Sequence, residues 1–127
     1  MSDIILHKGR EKSVFRRHPW IFSGGIARVN GNPQGGEIVT VRAENGKFLA
    51  RGYWNQRSQI QVRILTWDDE PIDHNWWRKM FTRAINGRKH ITSTAYRLIN
   101  AESDFLAGLI VDKYGDWLVL QALTLAI

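Results

Sequence analysis

Between Lys8 and His18 the chain carries five basic side chains and a histidine within eleven residues: Lys8, Arg10, Lys12, Arg16, Arg17 and His18. Arginine offers phosphate a planar, bidentate fork and lysine a mobile point charge, so the cluster suits a polyanion. Gly9 lies inside it and permits close backbone approach. Cations of this kind hold a nucleic-acid backbone, whereas recognition of unpaired bases usually adds stacking on aromatic rings. Trp20 and Phe22 follow at alternate positions and either fill a core or offer such rings; Phe15 reads as core. The same cations also suit a solvated helix face. Arg51 and Arg63, on neighbouring expected strands, either extend the patch or pair with acids such as Glu37 and Glu44.

Other chemistries find little support. There is no cysteine, which removes thiolate nucleophiles, disulfides and thiolate metal sites and fits a reducing cytoplasm. Neither Gly-rich phosphate-binding fingerprint occurs. His7, His18, His74 and His90 have no ligand-type spacing. Ser103-Asp104 has no histidine placed to complete a nucleophile system. Glu102 and Asp104 read either as an acid/base pair or as solvated carboxylates in a turn at a strand end. No catalytic residue, cofactor ligand or metal ligand is assigned.

The net charge of +6 is unevenly distributed. Residues 1–67 hold eleven Lys/Arg against four acids, whereas residues 68–127 hold seven against eight. A basic first half is the expected footprint of nucleic acid before membrane. The N-terminus lacks the long apolar stretch of a secretory signal. The longest apolar run, residues 117–127, is broken by Gln121 and Thr124 and is too short to span a bilayer. A cytoplasmic protein without a membrane partner is therefore expected.

These residues need elements to position them. Residues 4–7 read as a strand, residues 9–17 as one or two helical turns ended by Pro19, and residues 26–29 as another strand. Residues 38–43 and 47–53 are rich in β-formers and joined by Asn45-Gly46, a pair suited to a two-residue hairpin turn. Residues 61–67 alternate as a fifth strand. Five short strands and one small helix imply a compact barrel over residues 1–67. The acidic, Pro-ended stretch Asp68-Asp69-Glu70-Pro71 marks the boundary.

In residues 68–127, Asp73 reads as the N-cap of a helix. Its buried stripe is Ile72, Trp76, Met80 and Ala84, widened by Trp77, Phe81 and Ile85, and Gly87 interrupts or ends it. Strands follow at residues 96–100, 109–114 and 117–123, with Gly115-Asp116 turning the last two. This second unit reads as α+β, helix first. Its apolar end lacks a polar cap, so either a longer natural chain or a second copy, as in a homodimer, is expected to cover it.

The run Lys-Gly-Arg-Glu-Lys-Ser-Val-Phe-Arg-Arg-His-Pro-Trp-Ile-Phe-Ser-Gly at residues 8–24 resembles the start of a bacterial family of 23S rRNA cytosine-C5 methyltransferases. Further matches follow at Gly36-Glu37, Phe48-Leu49-Ala50-Arg51-Gly52, Ser58-Gln59-Ile60 with Val62-Arg63, Tyr96-Arg97-Leu98-Ile99, and Glu102-Ser103-Asp104 leading into Gly108-Leu109-Ile110-Val111-Asp112. The resemblance implies a PUA-like RNA-binding β-barrel, then part of a central α+β domain. The family's Rossmann-like domain, with its S-adenosylmethionine site and nucleophilic cysteine, has no counterpart in the chain. It implies large-subunit rRNA as partner and no cofactor held by these residues; from the basic cluster and the neighbouring strands, RNA contact is expected through Lys8, Gly9, Arg10, Lys12, Arg16, Arg17, His18, Arg51 and Arg63. A stand-alone RNA-binding adaptor and a protein-interaction module are the alternatives. One stretch departs: the family's usual Asp-Gly-Leu-Pro-Gly-Leu is here Asp104-Phe105-Leu106-Ala107-Gly108-Leu109, which implies an altered turn.

Overall fold

The computed structural model describes residues 1–124, so the last three residues of the apolar C-terminal run lie outside the described residues. The described residues form two compact units, residues 1–70 and residues 71–124.

The first unit is a six-stranded sheet with one short helix. Its elements are β1 (Asp3–Leu6), α1 (Glu11–Phe15), β2 (Trp20–Phe22), β3 (Ile26–Asn30), β4 (Ile38–Arg42), β5 (Phe48–Trp54) and β6 (Ile60–Thr66). The strand order is β2-β6-β5-β4-β1-β3, with β1 and β4 parallel and the other pairs antiparallel. β2 is the strand that the amino-acid pattern did not reveal; three residues are too few to show alternation. It lies at one edge of the sheet, and β3, only a single 3₁₀ turn later in sequence, lies at the other. That short link obliges the sheet to curl until its edges come together. The curl encloses Ile4, Leu6, Val14, Ile21, Val39, Val41, Leu49, Ala50, Trp54, Val62 and Ile64.

The hairpin between β4 and β5 forms around Asn45-Gly46, but with a three-residue loop. The Gly46 amide donates to the Ala43 carbonyl (2.9 Å), the Ala43 amide to the Lys47 carbonyl (2.9 Å), and Gly46 sits at φ +88°. A β-turn followed by a left-handed glycine is the usual three-residue solution, and the register shift after Val41 absorbs the extra residue. Asp68–Glu70 belong with the first unit because Arg51 reaches them, as described below.

The second unit contains α2 (His74–Asn86), β7 (Ala95–Asn100), β8 (Leu109–Tyr114) and β9 (Trp117–Ala122). Asp73 caps α2, its carboxylate accepting from the Trp76 amide at 2.9 Å. Trp76, Met80 and Ala84 are buried at intervals of four, whereas Ile85 stays exposed. The sheet is an antiparallel meander, β7-β8-β9, turned at its last hairpin by Gly115 at φ +57°. Trp117, Leu118, Val119 and Leu120 on its edge strand β9 are all exposed.

Asp104 is neither a solvated carboxylate nor half of an acid/base pair. Its two oxygens accept from Arg88 at 2.9 and 2.7 Å, and one also accepts from the Asn100 amide at 2.6 Å. Arg88 further donates to the Ala84 and Arg97 carbonyls, so one guanidinium joins the end of α2, β7 and the following loop. In the stretch that departs from the family pattern, Phe105 holds φ +58°, a conformation open to glycine at no steric cost, with the Arg83 guanidinium 4.9 Å from its ring.

Two backbones of the first unit approach closely at Gly52. A Cβ built there would stand 2.2 Å from the Arg63 carbonyl oxygen and 2.8 Å from the Ile64 Cα, both backbone atoms of β6. Neither atom can swing aside as a side chain would. Gly52→Ala is expected to destabilise the chain by about 3 kcal/mol, the upper end of the usual range for overpacking. Urea unfolding measures this, with Gly24→Ala, where a Cβ meets nothing within 4 Å, as the neutral control; equal midpoints for the two variants would refute the packing argument.

Candidate nucleic-acid interface

Most of the basic cluster is gathered by the turn before α1 and the tight chain reversal after it. Gly9, at φ +91°, makes the first turn. Its amide is already engaged by a Glu11 carboxylate oxygen (2.9 Å), and the Arg10 amide by the His7 carbonyl (3.0 Å). Gly9 therefore shapes the loop and does not present its N–H to a ligand. After α1, the Arg17 amide donates to the Val14 carbonyl and the His18 amide to the Ser13 carbonyl, both at 3.0 Å. This reversal places Arg17 at φ +65°, a left-handed conformation that costs a non-glycine residue roughly 1–2 kcal/mol.

The result is an open concavity of about 570 Å³ lined by Gly9, Arg10, Lys12, Arg16, Arg17 and His18, with Ser13 and Pro19 between them. Arg10, Lys12, Arg16, Arg17 and His18 are all exposed. Four guanidinium or ammonium groups with no carboxylate among the lining residues make a locally positive surface, strongest at low ionic strength.

The remaining expected residues divide. Lys8 lines a different depression, about 490 Å³, together with Glu11, Ala43, Glu44 and Asn45, where two acids offset its charge. Arg63 borders the cluster through Trp20: β2 and β6 pair Trp20 with Arg63, whose guanidinium lies 5.3 Å from the Trp20 ring centre. His18 also approaches that indole, edge to face at 5.8 Å, with His18 Nδ1 accepting from the Trp20 amide at 3.2 Å. Trp20 is thus partly buried and engaged by cationic and imidazole groups, while Phe22 is 49% exposed.

Arg51 is not part of the surface. Its side chain is 12% exposed and makes three hydrogen bonds: to Thr40 Oγ1 (3.2 Å), the Glu70 carbonyl (2.6 Å) and Asp69 Oδ1 (3.0 Å). It pairs with neither Glu37 nor Glu44. It anchors the acidic stretch at the end of the first unit, a function invisible from strand alternation because its partners lie 18 and 19 residues later.

One aromatic position was misplaced by the linear pattern. Phe15 is 60% exposed, because a helix as short as α1 buries only one position, which Val14 takes. Lys47, at the hairpin end, comes within 5.9 Å of the Phe15 ring centre, a juxtaposition that nothing in the local sequence announces.

The first unit places the chain in a class, and comparison agrees: the chain belongs to the PUA-like domain family, whose pattern matches residues 4–67. Over nearly its whole length it is similar to proteins named Ribosomal RNA large subunit methyltransferase I. It is 47% identical to that of Aeromonas hydrophila, covering 97% of this chain and 32% of the relative. It is 50% identical to that of Shewanella denitrificans, covering 94% and 32%. The chain thus spans about a third of the length of these curated relatives. In fold it is similar to a candidate SAM-dependent methyltransferase from Streptococcus mutans, with TM-score 0.82 and 20% identity over 99% of this chain and 34% of that one. A second likeness, TM-score 0.83 at 20% identity, is to a candidate methyltransferase solved with SAH, of which this chain covers 33%.

Arg51→Ala leaves Thr40 Oγ1 and the Glu70 carbonyl without this donor. Hydrogen bonds to charged groups are worth about 1.5–3 kcal/mol in such settings. A loss of about 2 kcal/mol is expected, read as a lower denaturant midpoint; an unchanged midpoint would show that the anchoring is not needed for the unit's stability.

Proposed function

We propose that this chain is the rRNA-recognition part of an S-adenosylmethionine-dependent methyltransferase acting on C5 of a cytosine in large-subunit ribosomal RNA. The observation that carries this reading is the carboxylate-free cationic concavity of Arg10, Lys12, Arg16 and Arg17 on a PUA-like unit. The names of the curated relatives support ribosomal RNA of the large subunit as the partner, and the S. mutans neighbour supports the SAM-dependent class. Cytosine C5 rests on the resemblance carried by residues 8–24 and the later motifs. The setting is the cytoplasm; no helix among the described residues is long and apolar enough to cross a membrane.

The described residues do not suit the methyl donor itself. Its sulfonium would be repelled by the cations around the concavity, and no Gly-rich strand-to-helix turn is present among these residues to cradle its adenosyl group. No His, Asp or Glu cluster capable of holding a metal occurs among them either. The role of this chain is therefore to grip and position the substrate. Arg10, Lys12, Arg16 and Arg17 hold the phosphate backbone, with His18 and Arg63 beside them; Lys8 and Arg51 are not needed for that grip.

Binding to a large-subunit rRNA hairpin, with duplex DNA as competitor, tests the reading over a salt series. Each phosphate contact on a single strand contributes a log–log slope of roughly −0.7, so Arg16→Glu with Arg17→Glu should flatten the slope by about 1.4 and weaken binding at least tenfold. Binding indifferent to both arginines would refute the concavity as the grip.

A second reading is favoured by β9, where Trp117 is 78% and Leu120 64% exposed on an edge strand. Such a strand offers unpaired backbone and apolar side chains to another chain, and we propose a homodimer through it. Sedimentation equilibrium should give twice the chain mass, reverting to the monomer with Leu118→Lys and Leu120→Lys; a monomer at all concentrations sinks the dimer.

A further inference from the structure

We propose that the slot between Phe15, Phe48 and Trp67 takes one unstacked nucleobase of a bound single RNA strand, with Arg17 and Lys47 on the adjoining phosphates. This rests on the RNA-binding reading above and specifies how bases, not only phosphates, are held.

The slot is about 210 Å³ and is lined by Val14, Phe15, Arg17, Phe48, Leu49 and Trp67. Its floor is apolar, since Val14 and Leu49 are buried. Its volume lies below that of pockets for drug-sized ligands, which leaves room for a single planar ring system. The Trp67 indole is fixed in place: Nε1 donates to the Val14 carbonyl at 3.0 Å, tying the end of β6 to α1.

Every aromatic side chain of the slot is matched by a cation. The Arg17 guanidinium lies 5.3 Å from the Trp67 ring, the Lys47 ammonium 5.9 Å from Phe15, and the Arg51 guanidinium 5.1 Å from Phe48. Arg51 is committed to the acidic stretch, but Arg17 and Lys47 are exposed. An apolar peptide side chain would gain nothing from those two charges. A base duplex presents no ring faces. A splayed base supplies both complements at once, a π face for the rings and a phosphate on either side for the cations.

Two further observations point the same way. Phe15 is exposed although it is a large apolar ring, and the left-handed Arg17 is what brings a guanidinium over Trp67. Arg17 also lines the cationic concavity, so the two sites share a wall. A strand gripped by Arg10, Lys12 and Arg16 can therefore place its next base in the slot without leaving the surface.

The test uses the full chain and a short single-stranded oligoribonucleotide with one central 2-aminopurine, alongside the same strand with an abasic site there. The proposal expects the 2-aminopurine emission to change on binding and the abasic strand to bind about tenfold more weakly, as for one lost stacking contact. Phe15→Ala should weaken the intact strand by a similar factor and abolish its advantage over the abasic one, whereas Phe15→Tyr should keep it. Lys47→Ala, also on an exposed position, should weaken both strands equally. Equal binding of intact and abasic strands to the wild-type chain, or an advantage that survives Phe15→Ala, overturns the slot while leaving the RNA grip standing. Failure to bind either strand, with the rRNA hairpin still bound, likewise overturns the slot alone; failure to bind any RNA overturns both.

Discussion

The first unit is governed by the short stretch from Trp20 to Asn30. It contributes β2 to one edge of the six-stranded sheet and β3 to the other, with a single 3₁₀ turn between them. A flat sheet of that width would hold the two edges far apart, since neighbouring strands are about 4.8 Å from one another. The chain can satisfy both pairings only if the sheet bends back on itself. Once bent, it has an inside for Ile4, Leu6, Val39, Val41, Val62 and Ile64, and an outside on which the loop flanking α1 must lie. The close passage of β5 against β6 at Gly52 belongs to the same bending, since there the two backbones leave no room for a side chain.

Within this frame the basic residues have different fates, and their chemistry follows from the surroundings each receives. Arg51, in the middle of β5, and Arg88, just after α2, lie against carbonyls and carboxylates and act as internal ties, each within its own unit. Arg42 faces Asp3 across β1 and β4 at 3.5 Å, and Arg97 faces Asp112 across β7 and β8 at 2.9 Å, where the carboxylate raises the guanidinium's pKa above its ordinary value. The cations of the concavity have no carboxylate among the residues that line it, and the nearby Glu11 carboxylate accepts from the Gly9 amide. Positive charge is thus concentrated where the fold leaves it uncompensated, which is a narrower surface than the charge count of residues 1–67 suggests.

Legibility tracked the range of the determining interaction. The β4–β5 hairpin, the Asp73 cap and the Trp76-Met80-Ala84 stripe depend on residues within a few positions of each other, and each stands close to where the pattern places it. Departures occur where distant partners decide. Arg51 reads as a patch cation or as a partner of Glu37 or Glu44 until Asp69 and Glu70 come round to it, and Asp104 reads as solvated or as half of an acid/base pair until Arg88 does. Phe15 reads as core because nothing local says that α1 has only one buried position.

The amino-acid sequence by itself determined the period of the longer strands and of α2, the concentration of cations before residue 20, and the resemblance to rRNA methyltransferases carried by residues 8–24. These are properties of composition and near-neighbour spacing, set by backbone geometry and side-chain chemistry alone. Only the tertiary structure decided which cations stay free for a ligand, that Lys8 falls outside the concavity, and that Phe15, Phe48 and Trp67 line one slot. Those outcomes depend on how residues up to 53 positions apart meet when the sheet curls, as Trp67 meets Val14, and no local rule contains that distance.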